Sequence, residues 1–254
     1  MTWYCVVPAS SMRSEPGHKA EMVNQLVFGE LCDMQEDKGE FMKVKARYDG
    51  YEGWVQKRQY TSLAGDSYPF LTALTQQKTD VAEVNGIQLH LSPGSVRFLP
   101  DNQDPVIIGP YKIHFELNHT GGKVPTAAGE QVVHHATKFL GTPYLWGGRS
   151  TYGIDCSGLT QMCFKLAGTF LPRDSGPQSR EGEVVGFLQE ARPGDLAFFD
   201  NEEGRIVHVG LLVSPSQIIH ASANCRLDPI DNQGIIHRET GERTHKLRVI
   251  KRFF

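Results

Sequence analysis

Asp155-Cys156-Ser157-Gly158, running into Leu159-Thr160-Gln161-Met162-Cys163-Phe164-Lys165-Leu166, is the stretch that decides the fold of the C-terminal half. Leu159, Met162, Cys163 and Leu166 recur at the spacing of one helical face. Asp155 suits the N-cap and Gly168 the C-terminal stop, which sets Cys156 in the first turn. There the positive end of the helix dipole and unpaired backbone N–H groups favour thiolate over thiol. A cysteine in an apolar helix is ordinarily a small core residue, and Cys5, Cys32, Cys163 and Cys225 are read that way. Cys156 differs in its neighbours. Asp155, Ser157, Gly158 and, upstream, Gly147 and Gly148 suit a helix start that lets a substrate backbone come close. The Asp155 carboxylate opposes a thiolate beside it, so it is expected to face elsewhere, as cap or as acceptor for a cationic group on the substrate.

Downstream, Gly194–Phe199, Ile206–Val213 and Gln217–Ala221 read as strands. The turn Ser214-Pro215-Ser216 is short enough to make the last two antiparallel neighbours, with His208 and His220 adjacent on one sheet face. A histidine within hydrogen-bond reach of Cys156 would complete its activation, and a polar group on that histidine's other nitrogen would orient it. His208 is read as the base and His220 as the orienting group. Taken alone, a strand histidine is more often structural. Thiolate and imidazoles also suit zinc, but Cys156, His208 and His220 include no closely spaced ligand pair, and no metal or cofactor is expected. Neither G-x-x-x-x-G-K-[ST] nor G-x-G-x-x-G occurs, so nucleotide binding has no motif behind it.

Upstream, Gln131–Phe139 reads as a helix closed by Gly141 and Pro143. It follows a cluster of breakers at 118–125, where the pattern changes and a domain begins. Before that point short apolar runs alternate with turns, as in Glu40-Phe41-Met42-Lys43-Val44-Lys45, Asp49-Gly50 and Gly53-Trp54-Val55, the pattern of small all-β barrels. A polar, turn-rich break at 64–69 divides this half, with a helical connector expected near 69–77. The expected domains are therefore 1–65, 66–124 and 125–254.

A formal charge of −3 and a pI near 6.4 leave no basic footprint for nucleic acid or an anionic membrane surface. No run approaches the roughly 18 apolar residues of a membrane-spanning helix. The start Met1-Thr2-Trp3-Tyr4-Cys5 has no basic segment followed by an apolar one, so a cytoplasmic location is expected, or a periplasmic one for a chain trimmed of its leader. Five cysteines, odd in number and without a Cys-x-x-Cys pair, fit free thiols in a reducing compartment.

The elements Thr142-Pro143-Tyr144-Leu145-Trp146-Gly147-Gly148, Asp155-Cys156-Ser157-Gly158-Leu159, Leu171-Pro172-Arg173-Asp174-Ser175, Arg192-Pro193-Gly194-Asp195-Leu196, His208-Val209-Gly210 and Ile219-His220-Ala221-Ser222, in this order, resemble the NlpC/P60 cysteine peptidases. The resemblance is greatest to the γ-D-glutamyl-L-diamino acid endopeptidases of the dipeptidyl-peptidase VI type, which carry bacterial SH3-type domains ahead of the catalytic domain. Residues 125–254 resemble that whole domain. Gly50-Tyr51-Glu52-Gly53-Trp54-Val55 and Glu21-Met22-Val23-Asn24-Gln25 resemble the first SH3-type domain. The second, 66–124, is assigned by position.

The resemblance implies a papain-like α+β catalytic fold behind two small all-β SH3-like barrels. It implies that Cys156 attacks a γ-D-glutamyl carbonyl of murein stem peptides, such as the murein tripeptide, and that L-Ala-D-Glu is released. Tyr144 would help hold the oxyanion or substrate, and Ser157 and Ser175 would contact the dipeptide. Tyr51, Glu21 and Asp155 would meet its free N-terminal amine. Otherwise Glu21 is a solvated helix charge and Tyr51 a packed barrel tyrosine. His114, His119, His134 and His135 match no family position and are read as surface or packing residues. A monomer is expected. Two other functions share these features: a non-catalytic peptidoglycan-binding module, and acyl transfer through the same thioester.

Overall fold

In Phe41-Met42-Lys43-Val44-Lys45-Ala46, Met42, Val44 and Ala46 are buried while the lysines between them are not, the two-residue period of a strand with one face in a core. In a computed structural model of the chain this alternation builds the described N-terminal half from β-strands, with one 3-10 turn at Lys57–Gln59. Residues 1–63, 71–99, 105–116 and 125–254 are described, and they form two units. The first is Met1–Gly121 with Trp146–Tyr152; the second is Gly122–Leu145 with Gly153–Phe254. The boundaries expected at 65 and 124 fall outside the described residues.

In the first unit a seven-stranded antiparallel sheet runs in the order Met22–Val27, Ala9–Arg13, Glu52–Gln56, Phe41–Ala46, Leu31–Lys38, Thr2–Cys5, Tyr60–Ser62. Met12, Leu26, Met42, Val44 and Val55 fill its core. A four-stranded sheet follows, in the order Ile87–His90, Val81–Val84, Tyr111–Glu116, Val106–Ile108. Tyr4, Val6, Phe28 and Leu63 share a second core with Ala82, Phe98, Ile108 and Ile113, so residues on both sides of 64–70 bury apolar surface together. The backbones meet at Gly29, whose φ is +81° and where a Cβ would come within 1.7 Å of the Val96 carbonyl oxygen. The helical connector expected near 69–77 is instead the strand Leu71–Leu74, paired with Val96–Leu99; Pro69 and Phe70 lie outside the described residues. Leu-Thr-Ala-Leu has no decisive preference of its own, and the cross-strand ladder settles its conformation.

The same unit holds a buried ion pair. Arg149 donates to both carboxylate oxygens of Glu30, at 2.9 and 3.1 Å, and also to the Gln25 carbonyl at 2.8 Å. Burying two charges is tolerable only with such pairing, although the buried Arg149 Nε itself finds no hydrogen-bond partner among the described residues.

The second unit opens with helix α1, Ala128–Thr137, beginning three residues before the expected start at 131. Helix α2, Cys156–Leu166, is buried on every side, and a short helix α3 spans Ser175–Ser179. Strands Leu196–Asp200, Ile206–Ser214, Gln217–Ser222, Asn224–Asp231, Gly234–Ile236 and Arg243–Arg252 pair antiparallel in succession, and the last returns to the first, closing a six-stranded barrel. Closure joins the two ends of this run, and Glu183–Val185 adds a further pairing to its last strand. Helix α2 packs against the two strands that carry His208 and His220. The fold is α+β, an all-β N-terminal region followed by a domain of helices and a barrel. Among the described residues no helix is long and apolar enough to cross a membrane.

Candidate active site

Cys156 is the first residue of α2, and Asp155 is its cap, in extended backbone with Oδ1 accepting from the Gly158 N–H at 2.7 Å. The cation expected to meet Asp155 from the substrate is met inside the chain. Arg173 donates to Asp155 Oδ2 at 2.6 Å and Oδ1 at 3.0 Å, and to Ser157 Oγ at 2.9 Å. Arg173 lies 18 residues away in a loop whose Pro172 carbonyl is held by Gln178, so local pattern did not reveal the pair.

Cys156 is 6% exposed. Burial first, and Asp155 second, push its thiol up to about 12, against the backbone N–H groups of Val209 and Ser157 and the charge of Arg173. Burial likewise drives His208 well below the ordinary histidine range, with His245, His220 and Arg226 acting in the same direction. Both shifts oppose the thiolate expected at the helix start, because burial favours a thiol and a neutral imidazole, and the proton then moves when the sulfur attacks. His208 directly precedes Val209, whose N–H reaches the Cys156 sulfur.

Gly210 stands opposite His220 in the ladder, and a Cβ there would sit 2.6 Å from Ile218 Cδ1 and 3.0 Å from His220 Cβ. Its missing side chain leaves the space that the Ile218 side chain and the His220 Cβ occupy. His208 Nε2 lies 3.0 Å from His220 Nδ1, as the adjacency of the two strands led one to expect. His220 Nε2 in turn lies 2.9 Å from Asp228 Oδ2. Asp228 was not foreseen: it sits one strand further on, opposite Ile218, and only the register brings it to His220. Burial alone would raise its pKa, but hydrogen bonds from His220, Arg226 and the Arg238 N–H leave the carboxyl well below its usual range.

His245, also unforeseen, stacks on His208 with ring centres 4.0 Å apart and planes 24° apart. His208, His220 and His245 each bring a ligand atom within 4.8 Å of the others, a cluster that includes His245 in place of Cys156. In stacked rings the in-plane lone pairs of His208 and His245 run side by side, whereas ligands of one ion must converge on a point.

Tyr144 is half-buried, its N–H bonded to the Ala223 carbonyl at 2.8 Å. Burial, then Cys156 and Asp155, push its phenol up to about 12, which places the hydroxyl within electrostatic reach of both. Ser175 opens α3 and is half-buried, and Gln178 of that helix donates to the Ser157 carbonyl at 3.1 Å. Thus Tyr144, Asp155, Cys156, Ser157, Ser175, His208 and His220 belong to one unit.

Glu21 and Tyr51 belong to the other. Glu21 is exposed and precedes a strand rather than lying on a helix, and its Oε1 accepts from Trp146 Nε1 at 2.8 Å. Tyr51 is half-buried against the first β core. His135 is buried, His114 and His134 are partly so, and His119 is outside the described residues.

Two family descriptions match the chain: the NlpC/P60 family over residues 141–244, and the bacterial dipeptidyl-peptidase SH3 domain over residues 12–59. A γ-D-glutamyl-L-lysine dipeptidyl-peptidase of Bacillus subtilis is 30% identical over 218 residues, covering 78% of this chain and 71% of that protein. One of the same name from Bacillus cereus is 27% identical over 255 residues, covering 89% and 75%. The crystal structure of an NlpC/P60 family protein from Bacillus cereus superposes with a TM-score of 0.83 at 22% identity, covering 99% of each chain, a likeness of fold. A cysteine at a helix start, two linked histidines and these similarities lead to one conclusion: the chain belongs to the NlpC/P60 family and is a peptidase, a hydrolase with a bacterial dipeptidyl-peptidase SH3 domain in its N-terminal half.

Proposed function

We propose that this peptidase cleaves the bond between γ-D-glutamate and the diamino acid of murein stem peptides whose N-terminal L-alanine is free, releasing L-Ala-D-Glu. The observation that carries the reading is the hydrogen bond between His220 and His208, the latter on the strand whose Val209 N–H reaches the Cys156 sulfur. As the sulfur attacks the carbonyl carbon, His208 takes the thiol proton. The C–N bond then breaks and His208 returns that proton to the leaving amine. Water, deprotonated by the same histidine, hydrolyses the thioester and restores the thiol. Tyr144 keeps its phenolic proton up to about pH 12 and is a donor for the developing oxyanion.

Asp155 shares its charge with Arg173, so in this reading it meets the substrate ammonium as a hydrogen-bond acceptor within a paired network. Ser157 and Ser175 are assigned to the dipeptide. The names of the Bacillus relatives support a γ-glutamyl bond to a diamino acid. Five buried cysteines, none of them in a disulfide, accord with work in a reducing cytoplasm, on peptides recovered from the wall. One copy of the chain carries the thiol and both histidines, in keeping with a monomer.

The test is product identification by mass spectrometry on L-Ala-γ-D-Glu-L-Lys, its meso-diaminopimelate counterpart and the N-acetylated form of each. Release of L-Ala-D-Glu from the free-amine peptides alone is expected, with no turnover by Cys156→Ala. Equal cleavage of acetylated peptides would remove the amine requirement, and undiminished turnover by Cys156→Ala would remove the nucleophile. Added amines that appear in the product would show acyl transfer.

A further inference from the structure

A neutral imidazole donates from one ring nitrogen and accepts at the other, and both assignments are chemically sound. The 3.0 Å contact between His208 Nε2 and His220 Nδ1 therefore fits two opposite proton arrangements. In one, His208 Nδ1 is bare; in the other it carries a proton. Only the bare nitrogen can take a proton from Cys156. A histidine in the orienting position does not by itself choose between them.

An ionised carboxylate does choose, because it only accepts. Asp228 Oδ2 is 2.9 Å from His220 Nε2, so that nitrogen carries the hydrogen. His220 Nδ1 is then the acceptor, His208 Nε2 the donor, and His208 Nδ1 keeps its lone pair. Asp228 is 1% exposed, Arg226 Nε donates to the same Oδ2 at 2.8 Å, and the Arg238 N–H donates to Oδ1 at 3.2 Å. Both donors favour the ionised form.

We propose that Asp228 is the positioning residue that sets the tautomer of both histidines: acting through His220, its carboxylate leaves the His208 Nδ1 lone pair free for the thiol proton. It touches neither thiol nor substrate. When His208 becomes an imidazolium during attack, the aligned His220 dipole and the carboxylate behind it stabilise that charge, and no proton leaves His220. The inference rests on Cys156 and His208 being nucleophile and base.

Two measurements test it on the full chain. Nitrogen NMR of the imidazoles in Cys156→Ala protein at neutral pH separates protonated from bare ring nitrogens, without interference from a thiolate. Nε2–H with bare Nδ1 is expected for both histidines. The near-isosteric Asp228→Asn substitution removes the charge, and in either orientation its amide sets an N–H against a donor from which the carboxylate accepts, His220 and Arg226 Nε on one side or the Arg238 N–H on the other, so His220 Nε2 is no longer held as the donor. With Cys156 intact, kcat is expected to fall roughly 10³- to 10⁴-fold. KM should stay within roughly threefold. In Cys156→Ala/Asp228→Asn the His208 proton should no longer be confined to Nε2, and a population protonated at Nδ1 should appear. A proton on His208 Nδ1 while Asp228 is present overturns the proposal, whether or not the Asn variant folds. So does a folded Asp228→Asn enzyme with unreduced kcat. Turnover by Cys156→Ala would instead overturn the nucleophile assignment and leave the tautomer result standing.

Discussion

Replacing Arg173 by methionine, of similar reach and without charge, strands the carboxylate of Asp155 beside the nucleophile. The two side chains are 2% and 8% exposed and are joined by contacts of 2.6 and 3.0 Å, with a third contact from Arg173 to Ser157 Oγ at 2.9 Å. Removing one member of a buried pair costs about 3–5 kcal/mol, much of it the penalty of leaving the other charge uncompensated rather than the worth of the pair. For a chain of this size that is a fall of roughly 6–20 °C in the melting of the catalytic unit. A chemical effect accompanies it. Asp155 raises the Cys156 thiol and Arg173 lowers it, so the variant thiol ionises less readily. A shift of one pKa unit slows thiolate alkylation roughly tenfold at fixed pH. Iodoacetamide labelling followed by peptide mass mapping reads this at Cys156 alone, because Cys5, Cys32, Cys163 and Cys225 are at most 1% exposed. Arg173→Lys, which keeps the charge but loses the fork, is expected to fall between. If Arg173→Met melts within about a degree of the parent and its labelling profile against pH is unmoved, the reasoning that Arg173 neutralises Asp155 is wrong.

Acidification should destabilise the protein well before its carboxylates titrate. Burial is the first cause holding His135, His208, His220 and His245 below the ordinary range, His135 at about 3 and His245 at about 4. The unfolded chain binds those protons first, so stability is full above roughly pH 7 and declines below about 6.5, by roughly 1.4 kcal/mol per pH unit for each histidine still neutral in the fold. The half-exposed His245 contributes less. A urea midpoint that stays level down to about pH 5 would contradict this. In the first unit, Glu30→Gln leaves the buried Arg149 guanidinium with only the more weakly acting Asp49 as counter-charge and should cost about 3–5 kcal/mol in urea unfolding, while Arg149→Met/Glu30→Leu recovers most of it. A loss below about 1 kcal/mol in the single variant would refute the pairing argument. Gly210→Ala puts a methyl 3.0 Å from His220 Cβ and 2.6 Å from Ile218 Cδ1, and steady-state kinetics should show kcat down at least roughly tenfold with KM little changed. Unaltered kcat would mean that His220 does not need that space.

The sequence by itself determined what depends on neighbours a few residues apart. Asp155 caps Gly158 three residues on, the apolar stripe makes α2, and a turn of two or three residues makes the His208 and His220 strands adjacent. Each follows from a hydrogen bond or a period that a short stretch of chain completes alone. Tertiary structure alone decided that Arg173 answers Asp155, that Asp228 stands behind His220, that His245 lies on His208, and that Leu71–Leu74 is a strand. Tyr4 and Phe28 likewise meet Ile108 and Ile113 only in the folded first unit. The physical reason is common to all of them. The partner is fixed by strand register, barrel closure or the packing of a loop onto a helix, and those are set by burial summed over many residues. A lone aspartate in a strand next to a proline, as in Asp228-Pro229, carries no local mark of the histidine it will meet.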